Sequence, residues 1–394
     1  MQFKTSNNKI SNTMKFIVNS QQLLKQLQSL SGVIASNNTM PIITCFHFHL
    51  EERKLTVKTT DLTTTLVATL EVETAHMEQA EEVAIPSKML LDILKTFDDV
   101  PMTFDVDQQS YSITIASGQG EYKLAGMDAA TYPTMPVAES NDRIVFGSSA
   151  LVEAINKTVF ATSNDEMHQQ MNGIFCEMTP EGVTFVATDA HKLVRYRRKD
   201  VRAEQSTSFI LPKKPIIIVK NILAARKDDA EVTIAYNNTN LFITFDNFFI
   251  VCRLVDGRYP NYEAAIPKNN PNRLILDRQS FLNTLRRVSI FASEATRQVR
   301  LSIQSDHINI SAEDIEFSNK ANETIPCQYE GDAMDIGFNA KFLTEMLGNL
   351  DSEQVLFELS HPSRAGIIFP YYTEEKEDKD DDILMLVMPV MLAN

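Results

Sequence analysis

Leu254-Val-Asp-Gly-Arg-Tyr-Pro-Asn-Tyr-Glu-Ala-Ala-Ile-Pro-Lys-Asn269 joins a tight turn to an extended segment bounded by prolines. Asp256-Gly257, which follows the apolar run 248–254, is a turn signal, because glycine accepts positive φ and aspartate bonds its own backbone. Tyr259-Pro260 and Ile266-Pro267 push the residue before each proline into extended backbone. The same Tyr-Pro pair occurs earlier as Tyr132-Pro133, and Pro389 follows Pro260 at almost the interval that separates Pro133 from Pro260. That spacing divides the chain into three, with the quoted stretch as the hinge between its second and third parts.

A strand over residues 15–18 leads through Asn19-Ser20 into a helical run, 21–30, in which Leu23, Leu24, Leu27 and Leu30 share one face. The order returns at Ile144 as a strand, the pair Ser148-Ser149, and a helix over 150–160 with Leu151, Val152, Ile155 and Val159 on one side. It returns again at Leu274, with a helix over 280–288. Phe16, Ile144 and Leu274 thus stand at nearly equal intervals, each close to a third of the chain. Each copy then holds a second strand-helix unit, at 83–95, 209–223 and 334–347, and ends in alternating strands such as 111–115 and 240–245. A period this long exceeds the roughly 20–50 residues of a solenoid repeat. The pattern therefore predicts three whole domains of like fold, each two helices on antiparallel sheet, in the α+β class. The expected bounds are a leader at 1–13 without fixed structure, then 14–140, 141–270 and 271–394.

A chain of 394 residues has room for three such domains, each with its own core. The net charge of −15 opposes bulk affinity for nucleic acid. Basic residues nonetheless recur on the helices, away from the apolar stripes: Lys25, Lys88 and Lys95 in the first copy, Lys157, Lys213, Lys214 and Lys220 in the second, and Arg286, Arg287 and Lys341 in the third. Two readings stand, a solvated helix face and a cationic lumen for phosphates if the domains close into a ring. No helix-turn-helix, zinc finger or basic zipper is present to read bases. Cys45, Cys176, Cys252 and Cys327 are far apart and read as reduced core thiols of a cytoplasmic protein. No apolar run is long enough for a membrane span, and the N-terminus lacks a signal peptide.

Catalytic signals are thin. Asp189 and His191 lack a nucleophile elbow, so an enzyme is not expected. His47 and His49 share a strand face without a third ligand, and no phosphate-cradling GxxxxGK[ST] loop occurs, so neither metal nor cofactor is expected. The acidic run 374–382 has two readings, a solvated hairpin loop and a guard beside a partner site.

The sharpest local motif is VATDAHKL at 186–193, a strand-turn-strand with a charged knuckle. Together with CRLVDGRYPNYEAAIPKN (252–269), MNGIF (171–175), TMPI (39–42), TTDL (59–62), IGFNAKFL (336–343) and VMPVML (387–392), it resembles the bacterial DNA polymerase III β subunit, the sliding clamp family, from Met14 to Leu392. The resemblance implies a non-catalytic head-to-tail homodimer, a ring around duplex DNA that reads no sequence. It implies a tether for DNA polymerase III and other proteins bearing a clamp-binding motif, opened by a separate ATP-dependent clamp loader. It places a partner-peptide cleft between the second and third domains. Met171, Thr188, His191, Lys192, Leu193, Pro260, Ala264 and Ala265 come from one side. Ala365, Val387, Met388, Pro389, Val390 and Met391 come from the other. Apolar and Met side chains suit a linear motif's hydrophobic anchors, with Thr188 and His191 offering polar groups to its backbone. Subunit contacts fall to Tyr122 and Leu124 on a first-domain edge strand, and to Ile290 and Phe291 in the third domain. The chain departs from the family pattern at Ala190, where glycine is common, at Ala264, where a base occurs, and at Met391, where an arginine is frequent. Ala393-Asn394 extend the end. Asn37 and Gln169-Gln170 stand where the family uses Arg and Tyr against DNA. The alternative reading is a monomeric peptide-binding adaptor that does not enclose DNA, with a hydrolase a distant third.

Overall fold

The structure is a computed structural model that describes residues 13–34, 40–74, 79–137, 143–373 and 380–392. The leader to residue 12, Asn37, Thr39, residues 374–379 of the acidic run and Ala393-Asn394 lie outside the described residues. Six α-helices occur among the described residues: α1 Ser20–Ser31, α2 Ser87–Leu94, α3 Ser148–Val159, α4 Lys213–Ala224, α5 Arg278–Val288 and α6 Ala340–Gly348. Each follows directly on a strand, as the repeat predicts. Short polar side chains set several starts: Asn19 accepts from the Gln22 amide, Asp277 from Ser280 and Asn339 from Lys341. Ser148 is the first residue of α3, and its hydroxyl donates to Asp229 and accepts from the Ala230 amide. Thr13, expected in the leader, opens the strand Thr13–Asn19.

The chain folds as two compact units. The first comprises residues 1–148 and 221–253, and the second 149–220 and 254–394. All strand pairings among the described residues are antiparallel. In the first unit a five-stranded sheet runs Glu73–Thr74, Thr13–Asn19, Pro101–Asp107, Ser112–Ser117, Gly120–Ala125. An eight-stranded sheet joins 143–147 and 231–253 to 45–86 through Phe248–Arg253 beside Thr64–Glu71, Phe248 facing Ala68. Helices α1 and α2 pack on each other. Phe16, Phe48 and Phe104 fill the core beneath, with Phe16 and Phe104 stacked at 4.9 Å.

In the second unit a nine-stranded sheet runs Thr207–Pro212, Gly173–Thr179, Gly182–Thr188, Lys192–Arg198, Asp381–Val387, Gly366–Tyr371, Gln354–Leu359, Asn272–Asp277, Gln328–Glu330. A four-stranded sheet runs Asn319–Pro326, His307–Asp314, Gln298–Ile303, Met334–Asn339, and α5 packs on α6. The second sequence copy therefore contributes to both units. Its strand Lys192–Arg198 pairs with Asp381–Val387 near the end of the chain, Lys192 facing Val387. Cys45, Cys176 and Cys252 are buried free thiols, as expected, but Cys327 is half-buried between two strands and is not a core residue. No helix among the described residues is long and apolar enough to cross a membrane.

Candidate peptide groove and cation-bearing helices

The turn between strands Gly182–Thr188 and Lys192–Arg198 is built by its own side chains. Asp189 Oδ1 accepts from the amides of His191 (3.0 Å) and Lys192 (2.9 Å). Thr188 Oγ1 donates to the Lys192 carbonyl at 2.7 Å and accepts from the Ala190 amide at 3.2 Å. Thr188 is buried, and its hydroxyl donates and accepts inside the turn. Ala190 holds φ at +72°, the left-handed region where glycine is at ease.

Lys192 points inward. Its ammonium donates to Glu345 of α6 at 2.6 Å, lies 3.4 Å from Asp189, and sits over the Phe342 ring at 4.7 Å and near Phe160 at 5.9 Å. Such a buried charge persists because it is paired and hydrogen-bonded. The His191 ring lies outside and stacks on Phe342 at 6.1 Å. These side chains border a cavity of about 660 Å³, shared with Met171, Phe160, Asn164, Asp165, His168, Lys213 and Lys341.

The stretch 254–269 lies on the same unit. Tyr259 stacks on Phe175 at 4.9 Å and donates from its hydroxyl to the Val186 carbonyl at 3.4 Å; burial raises its pKa. Tyr259 and Tyr262 join Leu193, Ala365, Ile367, Leu384 and Leu386 in one apolar cluster. Pro260 is half-buried, and Ala264 and Ala265 are exposed beside them. From the other side, Val387 pairs with Lys192 and Gly366 and is buried. The Met388 amide then donates to the His191 carbonyl at 2.8 Å, and that of Val390 to Gly337 at 2.9 Å. The terminal segment thus leaves one sheet and crosses to the other, with Met388 and Met391 exposed and Pro389 and Val390 half-buried. Gly337 is required by this approach, for a Cβ there would lie 2.7 Å from both the Val390 oxygen and Leu392 Cδ2.

The expected cleft residues therefore gather in one unit, but in two roles. Leu193, Ala365, Val387, Lys192 and Thr188 form the wall, while His191, Ala264, Ala265, Met388 and Met391 present surface. Sequence reading missed Phe342, Phe160 and Glu345. Phe342 stands inside IGFNAKFL and follows the capped start of α6, so that motif held a signal for it; Phe160 and Glu345 carried none.

The basic residues divide. Lys25, Lys88 and Lys95 are exposed on or just after α1 and α2, Lys95 lying 3.5 Å from Asp92. Lys214 and Arg286 are exposed and Lys220 is half-buried. Lys157 corrects the expectation: it is buried, ion-paired with Asp351 and bonded to the Asn349 carbonyl, so it presents no charge outward. Arg287 is exposed but forked onto Glu323, which raises its pKa. Lys213 and Lys341 border the cavity, Lys341 lying 3.8 Å from Glu345.

At the expected subunit contacts, Gly120–Ala125 is an edge strand with Tyr122 exposed against Phe97, ring centroids 5.5 Å apart. Leu124, on the same strand, is buried in its own unit. Ile290 and Phe291 are exposed, 76% and 40%, in a short turn of the second unit packed against that unit's edge strand Asn319–Pro326. His47 and His49 both hydrogen-bond Glu82, at 3.0 and 3.1 Å. Among the described residues no group of three or more His, Cys, Asp or Glu is placed to hold a metal ion. Of the acidic run, Asp382 lies 3.5 Å from Arg195 and 3.9 Å from Arg197.

Residues 14–136, 146–261 and 263–390 match, in order, the N-terminal, central and C-terminal domains of the DNA polymerase III beta subunit. An α+β chain with three such consecutive matches defines a replication-clamp class. The chain belongs to the family of DNA polymerase III β subunits. It is 28% identical to the beta sliding clamp of Pseudomonas aeruginosa over 381 residues, 96% of this chain and 100% of the relative. It is 25% identical to that of Synechococcus elongatus over 388 residues, 97% and 100% of the two. Among solved structures, the P. aeruginosa sliding clamp bound to griselimycin superposes with a TM-score of 0.88 at 27% identity, covering 97% of this chain and 100% of that one. The sliding clamp of Bacillus subtilis gives 0.88 at 25% identity, covering 97% and 100%.

Proposed function

We propose that this chain is a DNA sliding clamp. Two copies close head to tail into a ring around duplex DNA, without sequence preference and without catalysis, in the cytoplasm. The three consecutive domains, taken as 14–140, 141–270 and 271–394, supply the family's plan. The ring tethers DNA polymerase III and other proteins through a linear motif laid in the groove of the second unit, and an ATP-dependent loader opens it. The observation that carries the partner role is the junction at His191. There the C-terminal segment, the turn 188–192 and the cluster under Tyr259 and Tyr262 bring an exposed apolar rim onto a packed wall. The peptide lies against Met171, His191, Ala264, Ala265, Met388, Pro389, Val390 and Met391, backed by Leu193, Ala365 and Val387. Lys25, Lys88, Lys95, Lys214, Lys220 and Arg286 face the phosphates. Tyr122 meets Ile290 and Phe291 of the second copy.

Retention on DNA tests the ring. Loaded protein should stay on a closed circle and be lost once the circle is cut, because a sliding ring leaves by an open end. Equal retention on both forms would replace the ring with a surface binder.

A further inference from the structure

Lys213 is the first residue of α4, half-buried at the edge of the cavity, and its hydrogen-bond partner among the described residues is neutral: Nζ donates to Asn164 Oδ1 at 2.8 Å. Desolvation lowers its pKa, and repulsion by Lys192 adds to that, outweighing the pull of Glu345. Glu345 is itself engaged, bound by Lys192 at 2.6 Å and approached by Lys341 at 3.8 Å. A half-desolvated cation bonded to a neutral amide thus faces a cavity whose walls include Phe160, Phe342 and Met171. We propose that Lys213 seats a carboxylate of the partner peptide, so that this groove selects motifs carrying an acidic group beside their apolar anchors.

This rests on the groove reading and narrows it. A carboxylate there would replace the water lost from Lys213 and offset its repulsion from Lys192, while the peptide's apolar side chains cover the aromatic wall. Duplex phosphate is the less favoured occupant, because the repulsion from Asp165, Asp189 and Glu345 around the same cavity grows with every phosphate of a polyanion, whereas a single carboxylate meets it once and is offset by Lys213. Lys213 is thereby separated in role from its neighbour Lys214, which is exposed.

The test uses the full chain and short synthetic peptides with Leu and Phe anchors, in pairs that differ only by Asp or Asn at each position flanking the anchors. A second pair carries a free or an amidated C-terminus, which separates a side-chain carboxylate from a terminal one. Binding is read by fluorescence anisotropy. In the wild-type chain one acidic form should bind about fivefold tighter than its neutral twin, the effect of roughly one partly screened ion pair. In Lys213→Met that ratio should fall to about one, while Lys214→Met should keep it. The ratio is internal to each protein, so a general loss of stability does not imitate the result. A wild-type ratio of one in every pair, or a ratio that survives Lys213→Met, would overturn the assignment while the groove stands. Duplex affinity that drops in Lys213→Met with the peptide ratio unchanged would give Lys213 to DNA instead. Peptides that bind in neither form would overturn the groove and this inference together.

Discussion

Ala190 shows how one residue can be conspicuous in a sequence for a reason that only backbone geometry supplies. The family resemblance marks it as a place for glycine, and its φ of +72° says why. A left-handed conformation costs an L-residue roughly 1–2 kcal/mol, and the extra freedom of unfolded glycine takes back roughly 0.5–1 kcal/mol. Ala190→Gly should therefore raise stability by up to about 1.5 kcal/mol, and the β-branched Ala190→Val should lower it by about 2 kcal/mol, as read by denaturant titration. Lys192 was also visible in its motif, but its partner was not. Glu345 is 153 residues away, and no local pattern pairs them. Lys157 misled for the same reason, its partner Asp351 being as remote along the chain. Glu345→Gln should cost about 1–2 kcal/mol, less than a wholly unpaired buried charge because Asp189 remains 3.4 Å from the ammonium, and adding Lys192→Met should recover part of that loss. His47 gives a pH prediction. Burial first, and Lys58 second, hold its pKa below the ordinary value near 6.5, against the pull of Glu82. The unfolded chain then takes the proton first as pH falls. Stability attached to neutral His47 is present above about pH 6.5 and is lost as pH drops below it. His47→Gln should flatten that part of the curve in thermal melts between neutral and mildly acid pH.

At the scale of elements, what the sequence disclosed was local. Helix starts follow from caps within three residues, as at Asn19, Asp277 and Asn339, and strand-helix order repeats in each copy. What it withheld was pairing across the copies, because antiparallel register is settled by side-chain packing between strands distant in sequence. The strand Lys192–Arg198 could not announce Asp381–Val387 as its neighbour, nor could the terminal VMPVML announce its crossing to Gly337. That crossing is open to test. Any side chain at Gly337 must displace the Val390 carbonyl or Leu392. Gly337→Ala should loosen the terminal segment, speed hydrogen exchange at the Val390 amide, and weaken partner-peptide binding by about tenfold or more, since Met388 to Met391 would lose their fixed line. The strands Met334–Asn339 and Gln298–Ile303 should stay protected, because their pairing through Gly337 and Arg300 does not involve the segment. Exchange at Val390 unchanged from wild type would show that the terminal segment is held by other contacts.

For the whole molecule, three sequence copies became two compact units, because the sheets run on through the junctions between copies and divide the second among them. A repeat length reveals how many domains were duplicated, but it does not reveal where the hydrogen-bonded ladders continue. The same scale carries the ring. With a net charge of −15, contact with phosphate alone should be weak and should fall steeply as salt rises, whereas a closed ring is held by topology and needs few contacts. Ile290 and Phe291 are exposed next to an edge strand and are not needed by their own core, which is why the proposed subunit contact is assigned to them. Replacing both with Asp should therefore leave the chain folded but drive it to monomer, halving the mass seen by light scattering. The monomer should lose retention on closed circular DNA at every salt concentration. It should still bind partner peptide within about twofold of the wild type, because the groove lies within one unit of one chain. If the substituted protein keeps twice the chain mass, the subunit contact lies elsewhere. If it becomes monomeric yet remains on closed circles, DNA is held by contact and not by enclosure.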